Sequence, residues 1–145
     1  MSEAHHHDHD HDHEHHHEHA PAQKEEFAIE GAQMLLEAHT HEQAATVSLD
    51  VKPAEGAPLA FKRLIDLMVS IAGEAEAHGG IVGHIKAFAR EGDTFAHASV
   101  TASDLPVESE GAVEAVFGHD ATIQLVAIVL LIDKQALVDI CKAAW

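Results

Sequence analysis

Apolar residues recur along this chain with two periods, and each period predicts its own elements. In residues 44–52, Ala45, Val47, Leu49 and Val51 alternate with Thr46, Ser48, Asp50 and Lys52. That alternation predicts a half-buried strand closed by Pro53, which cannot donate to a ladder. A turn-rich stretch, 53–58, follows. In residues 59–77 the spacing changes to that of a helix, with Phe61, Leu64, Ile65, Met68, Ile71 and Ala72 on one stripe and a stop at His78-Gly79-Gly80. Residues 81–90 and 93–102 alternate again on either side of Glu91-Gly92, which predicts a hairpin. A two-residue turn there sets Arg90 opposite Asp93, Phe88 opposite Phe95, Lys86 opposite His97, His84 opposite Ser99 and Val82 opposite Thr101. The other hairpin face, with Ile81, Gly83, Ile85, Ala87 and Ala89 against Thr94, Ala96, Ala98, Val100 and Ala102, is small and apolar and should pack on a helix.

The remaining segments carry weaker patterns. Residues 24–38 place Phe27, Gly31, Met34, Leu35 and Ala38 near helical spacing and read as a first helix. Residues 112–117 read as a short strand in preference to a poor helix containing Gly111, with a turn at Gly118-His119-Asp120. Residues 121–132 are apolar on both faces, which predicts a central strand or one covered by another chain. Asp133 caps a terminal helix, 134–145, with Leu137, Ile140 and Cys141 inward. The 59–77 helix is long enough for a right-handed crossover, which would make strands 44–52 and 81–90 parallel. The expected fold is α+β: a two-layer sandwich with a mixed, mostly antiparallel sheet of four to five strands packed by helices, spanning residues 24–145 as one domain.

Residues 1–23 do not share this patterning. Every position from His5 to His19 is histidine, aspartate or glutamate: His5, His6, His7, Asp8, His9, Asp10, His11, Asp12, His13, Glu14, His15, His16, His17, Glu18 and His19. With no apolar side chain to bury, the run cannot offset a backbone ordering cost of roughly 1–2 kcal/mol per residue, so a disordered tail and linker is expected. Imidazole suits nickel, zinc and copper, and the interleaved carboxylates add oxygen donors and negative charge. An unperturbed imidazole, with a pKa of about 6.5, mostly keeps a free lone pair near neutral pH. Compositional bias of this kind predicts metal binding, and the alternation with aspartate departs from the uniform histidine of an affinity tag.

The chain of 145 residues carries a formal net charge of −17, which argues against nucleic acid and anionic membrane surfaces as partners. Cys141 is the single cysteine, so neither an intramolecular disulfide nor a CxxC metal site can form. The first residues lack the basic and apolar regions of a secretory signal, and the most apolar run, 126–132, is far shorter than the roughly twenty residues of a spanning helix. A cytoplasmic protein without membrane insertion is the expectation.

The run His5–His19 resembles the histidine-rich extensions of nickel-handling accessory proteins for hydrogenase and urease. It is also similar to those on metal-insertion GTPases and in loops of cation-efflux transporters. The resemblance implies metal handling with nickel or zinc, and also cobalt or copper, as cargo, and a metalloenzyme or transporter as recipient. A secondary histidine pair, His39 and His41, can approach one ion if that segment is extended. His84 and His97 form another, since the hairpin register makes them diagonal neighbours at about 7–8 Å. Lys86 opposite His97 opposes a cation there. No phosphate-binding loop, dinucleotide fingerprint, nucleophile elbow or H-E-x-x-H motif occurs, so an enzyme is unsupported. Two alternatives to a metallochaperone or metal buffer follow from the domain itself. One is a small enzyme or ligand-binding module on the His84/Lys86/His97 face. The other is a self-assembling structural domain, for which the doubly apolar strand and the two phenylalanines make a homo-oligomer the expectation.

Overall fold

The computed structural model describes residues 22–145, so the tract and half of the predicted linker (residues 20–23) lie outside the described residues. In chain order the elements are β1 (Gln23–Ile29), β2 (Ala32–His41), β3 (Ala44–Pro53), β4 (Leu59–Ala60), α1 (Phe61–Ala77), β5 (Ile81–Glu91), β6 (Thr94–Val100), β7 (Glu108–Gly111), β8 (Val116–Phe117), β9 (Thr122–Leu130) and α2 (Lys134–Ala143). Seven strands form one sheet in the order β1-β2-β3-β9-β5-β6-β7, and β4 pairs with β8 in a small second ribbon. The fold is α+β in two layers, with more strands than the pattern predicted.

Every neighbouring pair in the sheet is antiparallel, which corrects the expected mixed sheet. The crossover does leave β3 and β5 pointing the same way. They are not neighbours, because β9 enters between them and runs antiparallel to both. The reason lies in β9 itself: Ile123, Leu125, Ala127 and Val129 are buried on its helix side, and Val126 and Ile128 are apolar on the other. An edge would waste both rows, whereas the centre gives them neighbours on each side.

The largest correction falls on residues 24–38, predicted as a helix and folded as most of the β1–β2 hairpin. Ile29 pairs with Ala32 around Glu30-Gly31, and Gly31 takes φ +83°, a conformation open to glycine at little cost. Met34, Leu36 and Ala38 are buried and Gln33, Leu35 and Glu37 exposed, a strict period of two. Leu35, apolar but outward, disguised that alternation. Pairing with β3 along the whole of β2 outweighs the helix preference of the Gln-, Glu- and Ala-rich sequence.

The core occupies one face of the sheet. Both helices lie there, α1 over β5 and β6 and α2 over β3 and β2. Beneath α1 the sheet presents Ala87, Ala89, Ala96 and Ala98, all buried. These short side chains leave room for Leu64, Met68 and Ile71 from the helix, all fully buried. At one end Phe61 meets Phe117 edge-on at 6.1 Å, tying α1 to the β4–β8 ribbon. The α1 stop falls where predicted, with His78 as C-cap and Gly79 at φ +84°. The α2 cap is also as predicted, with the Asp133 side chain accepting from Ala136 N at 3.2 Å. Residues 101–107 are stapled to α1 by Glu76. Its carboxylate accepts from the Ser103 hydroxyl and from Ser103 N at 3.0 Å, and these bonds hold the carboxyl below the ordinary carboxylate range. A lowered carboxyl favours the native state above its unfolded value, so this staple weakens as pH falls through the folded one.

Because β9 organises the core, Leu125→Ala should lower the unfolding free energy by about 2–5 kcal/mol. Urea titration checks this: the midpoint should fall with little change in slope, and an unchanged midpoint would contradict the central role of β9.

Candidate functional site

Among the described residues the second face of the sheet carries no helix, and all four secondary histidines stand on it. His39 and His41 project from β2, where Ala38 points to the core; His84 and His97 project from β5 and β6. Reading across the strands, one row is His39, Thr46, Ile128 and His84. The next is Glu37, Ser48, Val126, Lys86, Ser99 and Glu108, followed by Leu35, Asp50, Gln124, Phe88, His97 and Glu110.

This grid changes both histidine pairs. His39 and His41, which do not share a face on a helix, share one on a strand, with backbone positions about 6.7 Å apart. Two imidazoles at that spacing can reach one ion. The other pair comes apart. The β5–β6 turn is Gly92-Asp93, with Glu91 opposite Thr94, instead of Glu91-Gly92. The register therefore slips by two residues, which preserves the faces and changes the partners. Phe88 lies opposite His97 and Lys86 opposite Ser99. His84 is then four residues along β5 from the partner of His97, about 13 Å away and no longer its diagonal neighbour. The faces also exchange at the start of β5: an irregularity between Val82 and His84 turns Val82 inward and leaves Ile81 56% exposed, the reverse of the predicted partition. Gly83 sits at this bulge, where a Cβ would stand 3.1 Å from the Ile128 carbonyl oxygen.

One end of the helix-free face deepens into a depression of about 490 Å³ bordered by Asp50, Lys52, His119, Asp120 and Thr122. His119, expected to be a turn residue only, is half-buried at its rim. Its Nδ1 lies 2.9 Å from the Pro53 carbonyl oxygen. A carbonyl only accepts, so Nδ1 carries the proton and, in the neutral ring, Nε2 keeps the lone pair. Asp50 is oriented by Gln124, whose Nε2 donates to it at 2.8 Å. The signal that would have found this corner, the approach of the 118–120 turn to the end of β3, is not present in local sequence.

Among the described residues no three side chains of the histidine, cysteine, aspartate and glutamate types converge to hold a metal ion. Nor does any helix among them have the length and apolar character to cross a membrane. The register separates His84 from His97 on this face, and a second depression, of about 330 Å³, borders His97, Ser99 and Glu110. Comparison with family models, curated proteins and solved structures finds no match for this chain.

Cys141 is fully buried in α2, and burial pushes its thiol up to about 12. The thiolate is the reactive form, so Cys141 is a core residue by chemistry as well as by position. At about pH 8 a thiol-specific reagent should label it in denaturant and leave the native protein essentially unlabelled. Equal labelling rates in the two states would overturn this assignment.

Proposed function

We propose that this protein takes up divalent metal, nickel or zinc foremost and cobalt or copper as well, on the tract His5–His19, and acts in the cytoplasm as a metal buffer or metallochaperone. The observation that carries the reading is the unbroken run of histidine, aspartate and glutamate, which holds ten of the sixteen histidines in the chain. Overlapping ligand sets without an imposed geometry favour fast exchange and low selectivity, with affinities following the general order that puts copper above nickel and zinc. Those properties suit storage and hand-over to a metalloenzyme or transporter.

The position of β1 supports a role for the domain in that hand-over. Gln23 pairs with Ala38, one residue from His39, and His19 precedes Gln23 by only four residues. A chain of that length spans at most about 14 Å, so ligands at the end of the tract and the His39/His41 pair fall within reach of one ion. In this reading the pair receives metal from the tract and fixes it on a structured surface.

Equilibrium dialysis against Ni²⁺ and Zn²⁺ tests both parts. Asparagine at all ten tract histidines in the full chain should abolish most of the bound metal, whereas unchanged stoichiometry would sink the proposal. Wild-type protein should release its ions between about pH 7 and pH 5 as imidazoles protonate. His39→Asn with His41→Asn should weaken the tightest ion by about tenfold, or 1.4 kcal/mol, with the tract intact. No change there would remove the surface pair from the mechanism and leave the tract reading standing.

A further inference from the structure

We infer that the helix-free face of the sheet is a homodimer interface, on which a second copy of this chain packs face to face. Apolar side chains concentrate along its middle. Val126 and Ile128 of the central strand are only half-buried, flanked by Phe88, while Leu35 and Phe95 are 42% and 47% exposed and Leu130 37%. Single exposed apolar residues are ordinary, but here three stand together on β9 with Phe88 beside them on β5, and Leu35 and Phe95 extend the apolar character to β2 and β6.

Two further observations select a second copy as the occupant. The first is size. Seven strands of 4 to 11 residues, averaging about 27 Å in length and spaced by about 4.8 Å, present a projected face of about 800 Å², which is the share per partner in a stable interface of standard size. The second is charge. The strand positions on this face carry four cations, Lys24, Lys52, Lys86 and Arg90, against five carboxylates, Glu26, Glu37, Asp50, Glu108 and Glu110. That is a net −1, while the whole chain stands at −17. Two copies repel strongly through the rest of their surfaces and hardly at all through this one.

A twofold axis in the interface along β9 lays the β2–β3 side of one protomer over the β5–β6 side of the other. Val126 and Ile128 then meet their own counterparts at the centre. The packed sheets would stand about 10 Å apart, as in a β-sandwich, with the helices on the two outer surfaces.

Sedimentation equilibrium of the full chain in EDTA, from about 1 μM to about 1 mM, tests this independently of metal. A monomer–dimer equilibrium is expected. Ile128→Lys and, separately, Phe95→Lys should weaken it at least about tenfold, because both put a charge into the desolvated centre or its margin. Phe95 is already half exposed, so its substitution leaves the fold intact even if the change at Ile128 does not, and circular dichroism reports on both. Val69→Lys, on the solvent side of α1, should leave association unchanged. A monomer throughout, a dimer insensitive to both face variants, or a dimer that forms only when metal is present would overturn the inference. The last outcome would assign association to the metal-binding tract.

Discussion

The position of β9 is the constraint on which this molecule depends. A strand with apolar residues on both sides loses free energy at an edge, since at roughly 25 cal/mol per Å² every outward side chain left in water counts against it. In the centre its backbone groups are satisfied by β3 and β5, and its inner row becomes the floor of the core. Once β9 is there, β3 and β5 must be separated, α1 must carry the chain across the gap, and both helices fall on the same face.

That one-sided burial gives the two faces different chemistry. The covered face is dry and aliphatic, and among the described residues no buried side chain is polar or charged. Its only unpartnered buried side-chain nitrogen or oxygen among them is Trp145 Nε1, whose ring has the Arg63 guanidinium 5.8 Å from its centroid. The uncovered face holds the secondary histidines, the depression beside His119, and nearly balanced charges around an apolar middle.

A division of labour follows for the proposed metal handling. The tract supplies number: many donors, no enforced geometry, rapid exchange. The sheet supplies position, since a strand fixes His39 and His41 on one side at a set spacing.

Local pattern alone determined the elements whose periodicity is unambiguous: β3, with Ala45, Val47, Leu49 and Val51 inward; α1, with its stripe and glycine stop; the β5–β6 hairpin; the doubly apolar β9; and α2 with its Asp133 cap. It also determined the tract chemistry, which needs no fold. Tertiary structure decided the rest. The β1–β2 hairpin was hidden because Leu35 breaks the visible alternation and the composition favours a helix, although Glu30-Gly31 repeats the Glu-Gly pair of the hairpin that was recognised. The β5–β6 register slipped by two because which two residues close a turn depends on backbone conformation, with Gly92 at φ +59°. Such a slip leaves each side chain on its face and changes every neighbour, so the core survived the error and the His84–His97 pair did not. Core formation requires only the right face; a binding site requires the right neighbours, and neighbours are set by pairing between strands distant in sequence.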